Sequence, residues 1–432
     1  MVDILRVGIA GLGTVGAAVV RLLEAQSADL AARTGKKIVV TGVSARDPAR
    51  ERGIDLSGAA WFATPSELAA SENIDLFVEL IGGDEGAARE SVEAALTSRK
   101  SVVTANKALL AKHGVALARL AEQHHAALAF EASVAGGIPI VKTLREGLAG
   151  NRIERVYGIL NGTCNYILSR MELEGLSFAE CLAEAQKLGY AEADPTFDIG
   201  GFDTAHKLAI LASLAFGVKL DAEAISIEGI QDISLADLHA AAELGYRVKL
   251  LGVAQRTAHG VEQRVHPTMV PLSSAIAQVM GVTNAVTVDA DAVDELTLVG
   301  PGAGGMATAS AVVADIADIA RGIRSAPFGL PVDHLAAPEK SPMQRHEGGY
   351  YIRLAVRNQI GAAAAIATRM AEHGISLESI VQRRACAGDD SVAPVVLVTY
   401  ATTEATVRQA LAQIVKDGHV ADKPQVIRIE RE

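Results

Sequence analysis

Cysteine is scarce, with three in 432 residues (Cys164, Cys181 and Cys386), and no two of them stand in a CxxC spacing. That excludes a disulfide framework and a cysteine-built zinc site, and it fits a reducing, cytoplasmic setting. Positive charge is also in deficit: 40 Lys and Arg against 51 Asp and Glu leave a formal net charge of -11. Such a balance argues against nucleic acid or anionic membrane as partners. No uninterrupted apolar run is long enough to cross a bilayer. The opening Met1-Val-Asp-Ile-Leu-Arg6 has no signal-peptide layout, so a soluble intracellular protein is expected. Half of the residues are hydrophobic and only 21% charged, enough to build sizeable cores in two or three domains.

The run Ile4 to Ala10 predicts a strand, Gly11-Leu-Gly13-Thr-Val-Gly16 a tight turn, and Ala17 to Gln26 a helix. A GxGxxG alone is weak evidence, but strand, glycines and helix in this order form a dinucleotide-binding fingerprint. Gly11 permits the turn, Gly13 lets backbone approach a pyrophosphate, and Gly16 brings helix and strand together. The amides of Gly13, Thr14 and Val15 then sit at a helix N-terminus, where an anion is favoured. The next strand, Lys37 to Val43, ends in Ser44-Ala-Arg46-Asp47. NAD-selective enzymes usually carry a carboxylate at this strand end for the ribose 2′-hydroxyl. Ser44 and Arg46 suit a 2′-phosphate instead, so NADP(H) is favoured, and NAD stays open if Asp47 turns inward. Further strands follow at Ile74 to Gly83, which ends in glycines, and at Ser101 to Thr104, with Lys107 just beyond. A helix begins near Glu85 between them.

Lys187-Leu-Gly-Tyr-Ala-Glu-Ala-Asp-Pro-Thr-Phe-Asp-Ile-Gly-Gly-Phe-Asp-Thr-Ala-His-Lys207 gathers Glu192, Asp194, Asp198, Asp203 and Lys207 around turn-forming glycines and a proline. Phe202 to Leu214 predicts an apolar helix, with Asp203 and Lys207 four residues apart on one face. By spacing alone this is an ordinary ion pair worth a few tenths of a kcal/mol.

The whole stretch, however, resembles the catalytic segment of homoserine dehydrogenase. The likeness extends over residues 4 to 325 through Thr104-Ala-Asn-Lys107, Ala129 to Ile140, Arg155 to Leu168, Gly245 to Leu251, Arg264 to Thr268 and Gly300 to Asp315. The resemblance implies reduction of L-aspartate 4-semialdehyde to L-homoserine and its reverse, with Lys207, Asp203 and Lys107 catalytic. It implies that Glu192, Asp198, Asn161, Gly162 and Thr163 hold substrate. Thr104, Lys107 and Gly305 would meet the cofactor, and the helix after Gly305 would pack back on the nucleotide domain. Glu131 and the carbonyls of Val134, Gly136 and Ile138 would hold a structural monovalent cation, Na+ or K+. The plainer alternatives are a capped helix start, with Thr163 as cap, and a satisfied polar group at a strand end for Glu131. Two departures from the family pattern, Ala307 for proline and Ser273-Ser274-Ala275 for a His-Pro, lie away from the proposed chemistry.

Ile323 to His346 contains Pro327, Pro331, Pro338 and Pro342 and predicts a linker. The remainder predicts strand Tyr350 to Val356, helix Gly361 to His373, strands Ile375 to Arg384 and Val395 to Tyr400, helix Glu404 to Val415, and strand Val426 to Ile429. This βαββαβ order is a ferredoxin-like unit able to form by itself, and it resembles an ACT domain. The turn at Asn358 and Gln359 is where such domains bind amino acids, unless it is merely a turn. The resemblance implies threonine as effector and a homodimer or homotetramer. The expected class is α/β: a Rossmann-type NADP-binding domain at 1–134, completed by 305–325, and an α+β substrate and dimerisation domain at 135–304. A linker at 326–348 and an ACT domain at 349–432 complete it. Another NADP-dependent amino-acid dehydrogenase and a non-catalytic nucleotide and amino-acid sensor are the competing readings. A fused aspartokinase is not expected, since no residues remain to build a kinase.

Overall fold

A computed structural model describes residues 3–337, 346–382 and 392–430. Cys386, Pro338, Pro342 and the end of the strand expected at 375–384 lie outside the described residues. The first sheet has six parallel strands in the order Ala60–Trp61, Lys36–Ser44, Asp3–Ala10, Leu76–Glu79, Ser101–Thr104, Leu128–Ala129. This is a dinucleotide-binding order, in which the strand sequence reverses beside Asp3–Ala10 and leaves a crevice beyond the carboxyl ends. Leu76–Glu79 and Ser101–Thr104 are buried at every position, as parallel strands covered on both faces must be. Helix Gly305–Ala320 returns to this domain. Its Ala309, Val312 and Ile316 share one core with Val7 and Ile9 of the first strand and with Val19 and Leu23 of helix Thr14–Ala25.

The second sheet is mixed and runs Asp294–Pro301, Thr283–Ala290, Ile153–Ile159, Tyr246–Thr257, Gly260–Pro271, Gln425–Ile429, Glu347–Arg357, Val392–Thr399, Leu377–Gln382. Its last four strands, with helices Ala362–Glu372 and Glu404–Lys416, are the expected ferredoxin-like unit with its own apolar core. This unit does not stand apart. Gln425–Ile429 pairs in parallel with Gly260–Pro271 through Thr268 to Arg428 and Met269 to Ile429, so one sheet crosses the junction. Buried charge fastens the seam: Arg264 pairs with Glu262 and, at 2.7 Å, with Glu430, and Arg155 reaches Glu430 at 2.8 Å.

Part of the expected linker is packed rather than free. Phe328, Val332 and Leu335 are buried, and Phe328 meets the ring of Phe130 at 5.3 Å between centroids. Ala336 bridges to Val218, and Asp333 pairs with Arg119 at 2.8 Å. Three apolar residues at short spacing between the prolines supply enough burial to hold this segment down.

Candidate active site

Helix Phe202–Phe216 begins after Gly201 (φ 88°) and ends at Gly217 (φ 65°), both in the left-handed region that glycine adopts without strain. Nearly every residue between them is buried, including Asp203 and Lys207. The Asp203–Lys207 pair is therefore not a solvated one. Lys207 Nζ donates to Asp203 Oδ2 at 2.7 Å and to the carbonyl of Leu160 at 2.7 Å. Lys107 Nζ lies 2.9 Å from Asp203 Oδ1, so a single carboxylate holds two ammonium groups. Burial pushes Lys207 below the usual lysine range; Asp203 opposes this and the charge of Lys107 reinforces it. Burial alone would raise Asp203, but Lys207 and Lys107 outweigh it and hold the carboxyl below its ordinary value.

Asn161 ties the neighbouring carboxylate into the cluster. Its Nδ2 donates to Asp203 Oδ2 at 3.0 Å and to Asp198 Oδ1 at 2.9 Å, and its Oδ1 accepts from the Cys164 amide. Asn161, not Thr163, therefore caps helix Gly162–Glu174; the Thr163 hydroxyl donates to the carbonyl of Tyr190 at 2.7 Å. Burial raises Asp198, the Asn161 hydrogen bond opposes it and Asp203 adds to it. Lys107, Asn161, Gly162, Thr163, Asp198, Asp203 and Lys207 line one cleft of about 630 Å³. Glu192 is not brought there: it is exposed, outside the lining of the cleft, with its backbone carbonyl held by Gln186 at 3.0 Å. A larger cleft of about 990 Å³ lies at the seam with the ferredoxin-like unit, away from this cluster. The smaller one holds the chemistry, because only it gathers the two lysines and two carboxylates.

At the glycine turn, a Cβ on Gly11 would stand 2.3 Å from the Leu80 carbonyl oxygen, and one on Gly16 2.0 Å from that of Gly11. Around Gly13 the space is open. No side chain caps helix Thr14–Ala25, whose first turn holds Thr14, Val15 and Gly16, nor helix Gly305–Ala320. The two N-termini meet, since a Cβ on Gly305 would come within 3.0 Å of Thr14 Cγ2. Two uncapped helix starts beside an open glycine turn are a fit for a pyrophosphate. The strand end next to them carries Ser44 and an exposed Arg46. Asp47 turns to its own loop and accepts from the Ala49 amide at 3.0 Å. Thr104 does not face the crevice: it is buried, and its hydroxyl donates to Glu79 Oε2 at 2.6 Å. Glu79 in turn takes the amides of Ile81 and Gly82, and so shapes the loop that follows.

The family models matched by the chain agree with this geometry: homoserine dehydrogenase, NAD binding domain, over residues 11–131; homoserine dehydrogenase over 139–317; ACT domain over 350–419. The homoserine dehydrogenase of Neisseria gonorrhoeae is 44% identical over 431 residues, covering 98% of each chain. That of Pseudomonas aeruginosa is 44% identical over 433 residues, covering 99% of each. The chain belongs to the homoserine dehydrogenase family. The crystal structure of a homoserine dehydrogenase from Thiobacillus denitrificans, 42% identical, superposes with a TM-score of 0.93 over 99% of this chain and 98% of that one. The chain is thus an oxidoreductase with an NAD-binding Rossmann domain and an ACT domain.

Other residues carried over from the family have plain local partners. Glu131 is buried, and its two oxygens accept from the amides of Val141 and Lys142, both at 2.8 Å. Burial, followed by the charge of Asp315, pushes its carboxyl up to about 7. Gly136 (φ 55°) leaves no room for a Cβ, which would stand 2.5 Å from the Gly302 carbonyl oxygen. The carbonyl of Ile138 accepts from Ile140, and Val134 is buried beside it. Among the described residues no cluster of three or more His, Cys, Asp or Glu is set to hold a metal ion. Asn358 and Gln359 lie in an exposed turn before Gly361 (φ 91°), outside the larger cleft. No helix of the described residues is long and apolar enough to cross a membrane. Sequence reasoning passed over Arg52, whose Nε donates to the Leu12 carbonyl at 3.1 Å in the glycine turn. It also passed over Glu79, although a carboxylate just before Gly82-Gly83 at a strand end was a signal that could have been used.

Proposed function

We propose that this chain reduces L-aspartate 4-semialdehyde to L-homoserine with NADPH, and catalyses the reverse, as a step toward threonine, methionine and isoleucine. The observation that carries the reading is one buried carboxylate, Asp203, held between Lys207 at 2.7 Å and Lys107 at 2.9 Å in a cleft beside the glycine turn. The nicotinamide cofactor supplies or accepts the hydride at the terminal carbon. Lys207 gives a proton to the oxygen in reduction and takes it back in oxidation, for which a lowered pKa suits it. Lys107 adds positive charge where the alkoxide develops, and Asp203 orients both lysines. Asp198 takes the substrate ammonium; Gly162 and Thr163 form the adjacent wall. Following NADPH absorbance with purified protein and the semialdehyde tests this: no oxidation, with NADPH bound, would sink it.

Preference for NADP(H) over NAD is supported by Ser44 at the strand end, exposed Arg46 beside it and Asp47 engaged with Ala49. A hyperthermophilic archaeal homoserine dehydrogenase, 28% identical with a TM-score of 0.63, was crystallised in complex with NADPH. The contacts proposed for the dinucleotide are Gly11, Gly13, Thr14, Val15, Gly16, Arg46 and Gly305, with Thr104 acting through Glu79. A monovalent cation at Glu131 and the carbonyls of Val134, Gly136 and Ile138 would relieve the buried negative charge that Glu131 shares with Asp315. The ACT domain is proposed to bind threonine at Asn358 and Gln359 and to assemble the chain as a homodimer or homotetramer. A route to the active site is short: Arg428 pairs with Glu228 at 2.9 Å, and the Ile230 amide donates to Ile199, next to Asp198. Threonine that leaves the NADPH-dependent rate untouched would remove this part of the proposal.

A further inference from the structure

Glu79 ends strand Leu76–Glu79 and is fully buried. Its Oε1 accepts from the amides of Ile81 at 2.7 Å and Gly82 at 3.0 Å, and its Oε2 from the Thr104 hydroxyl at 2.6 Å. The Thr104 oxygen accepts in turn from the Asn106 amide at 3.0 Å. Asn106 then works at both ends of its side chain. Its Nδ2 donates to the Gly83 carbonyl at 2.6 Å, and its Oδ1 accepts from the Leu109 amide at 3.1 Å, capping helix Lys107–Gln123. These bonds close a ring, from Glu79 through Thr104 and Asn106 to Gly83 and back along the loop to Glu79. Lys107 is the first residue of the capped helix, and its Nζ lies 2.9 Å from Asp203.

A carboxyl, a hydroxyl and an amide are expensive to bury at adjacent strand ends, and apolar side chains of similar size would fill that space at less cost. A buried network whose members are all joined gives one fixed geometry in return. Here the geometry it fixes is the start of a helix, and so the point from which Lys107 sets out. Loop and helix have other ties, from Lys112 to Asp84 at 3.0 Å and to Glu85 at 2.8 Å. Those pairs are half-exposed and hold weakly. The buried ring is the firm one.

We infer that Glu79, Thr104 and Asn106 form a buried positioning relay that holds Lys107 against Asp203, and so set the second positive charge of the active site from beneath. This rests on the proposed role of Lys207 in homoserine oxidation. The groups facing Lys207 are Asp203, Asp198, Lys107 and the Cys164 thiol, which burial keeps protonated. Lys107 alone among them follows the relay, and its charge lowers Lys207, so a displaced Lys107 lets Lys207 rise. The test is kcat and the pH profile of homoserine oxidation by the full chain and its Thr104→Val, Thr104→Ser and Asn106→Ala variants, each also combined with Lys107→Ala. Thr104→Val keeps the shape and removes the link; kcat should fall about tenfold or more through misplacement. Its acid limb should move to higher pH, the direction expected for Lys107→Ala. Thr104→Ser keeps the hydroxyl and should recover most of the rate and the wild-type limb. Asn106→Ala cuts the relay at the cap and should repeat both effects, even where a Val at 104 fails to fold. With Lys107→Ala already present, Thr104→Val or Asn106→Ala should change kcat by less than about twofold and leave the limb in place, because the group they position is gone. An unmoved limb, losses that add in full to that of Lys107→Ala, or a Ser variant as poor as the Val variant would overturn the inference. An active wild type with any of these results sinks this inference alone; a wild type that does not oxidise homoserine sinks the proposed function with it.

Discussion

Two lysines are buried in the substrate half, and their surroundings differ in one respect. Lys207 has a carboxylate partner, Asp203, at 2.7 Å. Lys249 has neutral ones: Asn165 Oδ1 at 2.9 Å, the Val279 carbonyl at 2.5 Å and the sulfur of Met280 at 3.4 Å. Burial lowers both. For Lys249, burial and then the charge of Arg247 bring the ammonium down to about 7. For Lys207, Asp203 pulls back toward the charged form while Lys107 pushes the other way. Burial with no carboxylate in hydrogen-bond contact, helped by Arg247, thus lowers a lysine to about 7 at a position outside the lining of the cleft. What distinguishes the chemical site is that Lys207 lines the cleft with two tuning charges, whereas Lys249 braces the wall from behind.

The sharpest way to break this contrast is to remove each ammonium in turn. Lys207→Ala should lower kcat by about 10²–10⁴-fold, the range for a lost acid–base group, with a much smaller change in KM. A KM effect instead would make Lys207 a binding residue. Asp203→Asn should cost on the order of 10²-fold through misplacement of both lysines. It should also move the acid limb of homoserine oxidation, where neutral Lys207 is required, to lower pH, because the charge that raises Lys207 is gone. Lys107→Ala should move the same limb to higher pH, because a charge that lowers Lys207 is gone. Limbs that shift in the same direction in both variants would show that Lys207 is not the group titrating. The smallest effect belongs to Lys249. Its folded value of about 7 lies below the unfolded lysine value of 10.5, so between these pH values the unfolded chain binds more protons. Stability should then rise with pH across that window and lose this contribution as pH falls to 7. Lys249→Met removes the titration, so its Tm relative to wild type should be higher at pH 6.5 than at pH 9, by about 2–4 °C per kcal/mol. A gap independent of pH would contradict the lowered value.

Features governed by near neighbours in the chain were legible from residues alone. The glycine turn is one, since the roles of Gly11, Gly13 and Gly16 follow from contacts within a few residues or across one strand. The helix pairing Asp203 with Lys207 is another, and the two layers of the ACT domain followed from alternation and turn residues. Where contacts join distant segments, residue-level reasoning ran out. Lys107 reached the cluster only through a family likeness, because nothing local ties it to Asp203. Glu192 stands near Asp198 in sequence, but the turn before Pro195 leaves it in solvent. Thr104 lies opposite Glu79 in adjacent parallel strands, a register that neither segment reveals, and so its hydroxyl is spent on a carboxylate. Lys249 sits in a strand dominated by apolar neighbours, and only the assembled sheet shows what its ammonium meets. The linker was misjudged for a related reason: prolines marked the turns, while Phe328, Val332 and Leu335 found a surface to cover.

The parallel seam between Gly260–Pro271 and Gln425–Ile429 also has a consequence for how the chain is made. A ribosome delivers residues in order, and domains tend to fold as they emerge. Thr268 and Met269 leave it long before Arg428 and Ile429, so the growing chain carries a bare strand edge, the kind of surface that recruits stray strands. Arg155 and Arg264 also wait for Glu430. A nascent chain stalled within the ACT segment would therefore be a sticky intermediate with a nearly complete catalytic half, and the last strand is the stitch that closes it.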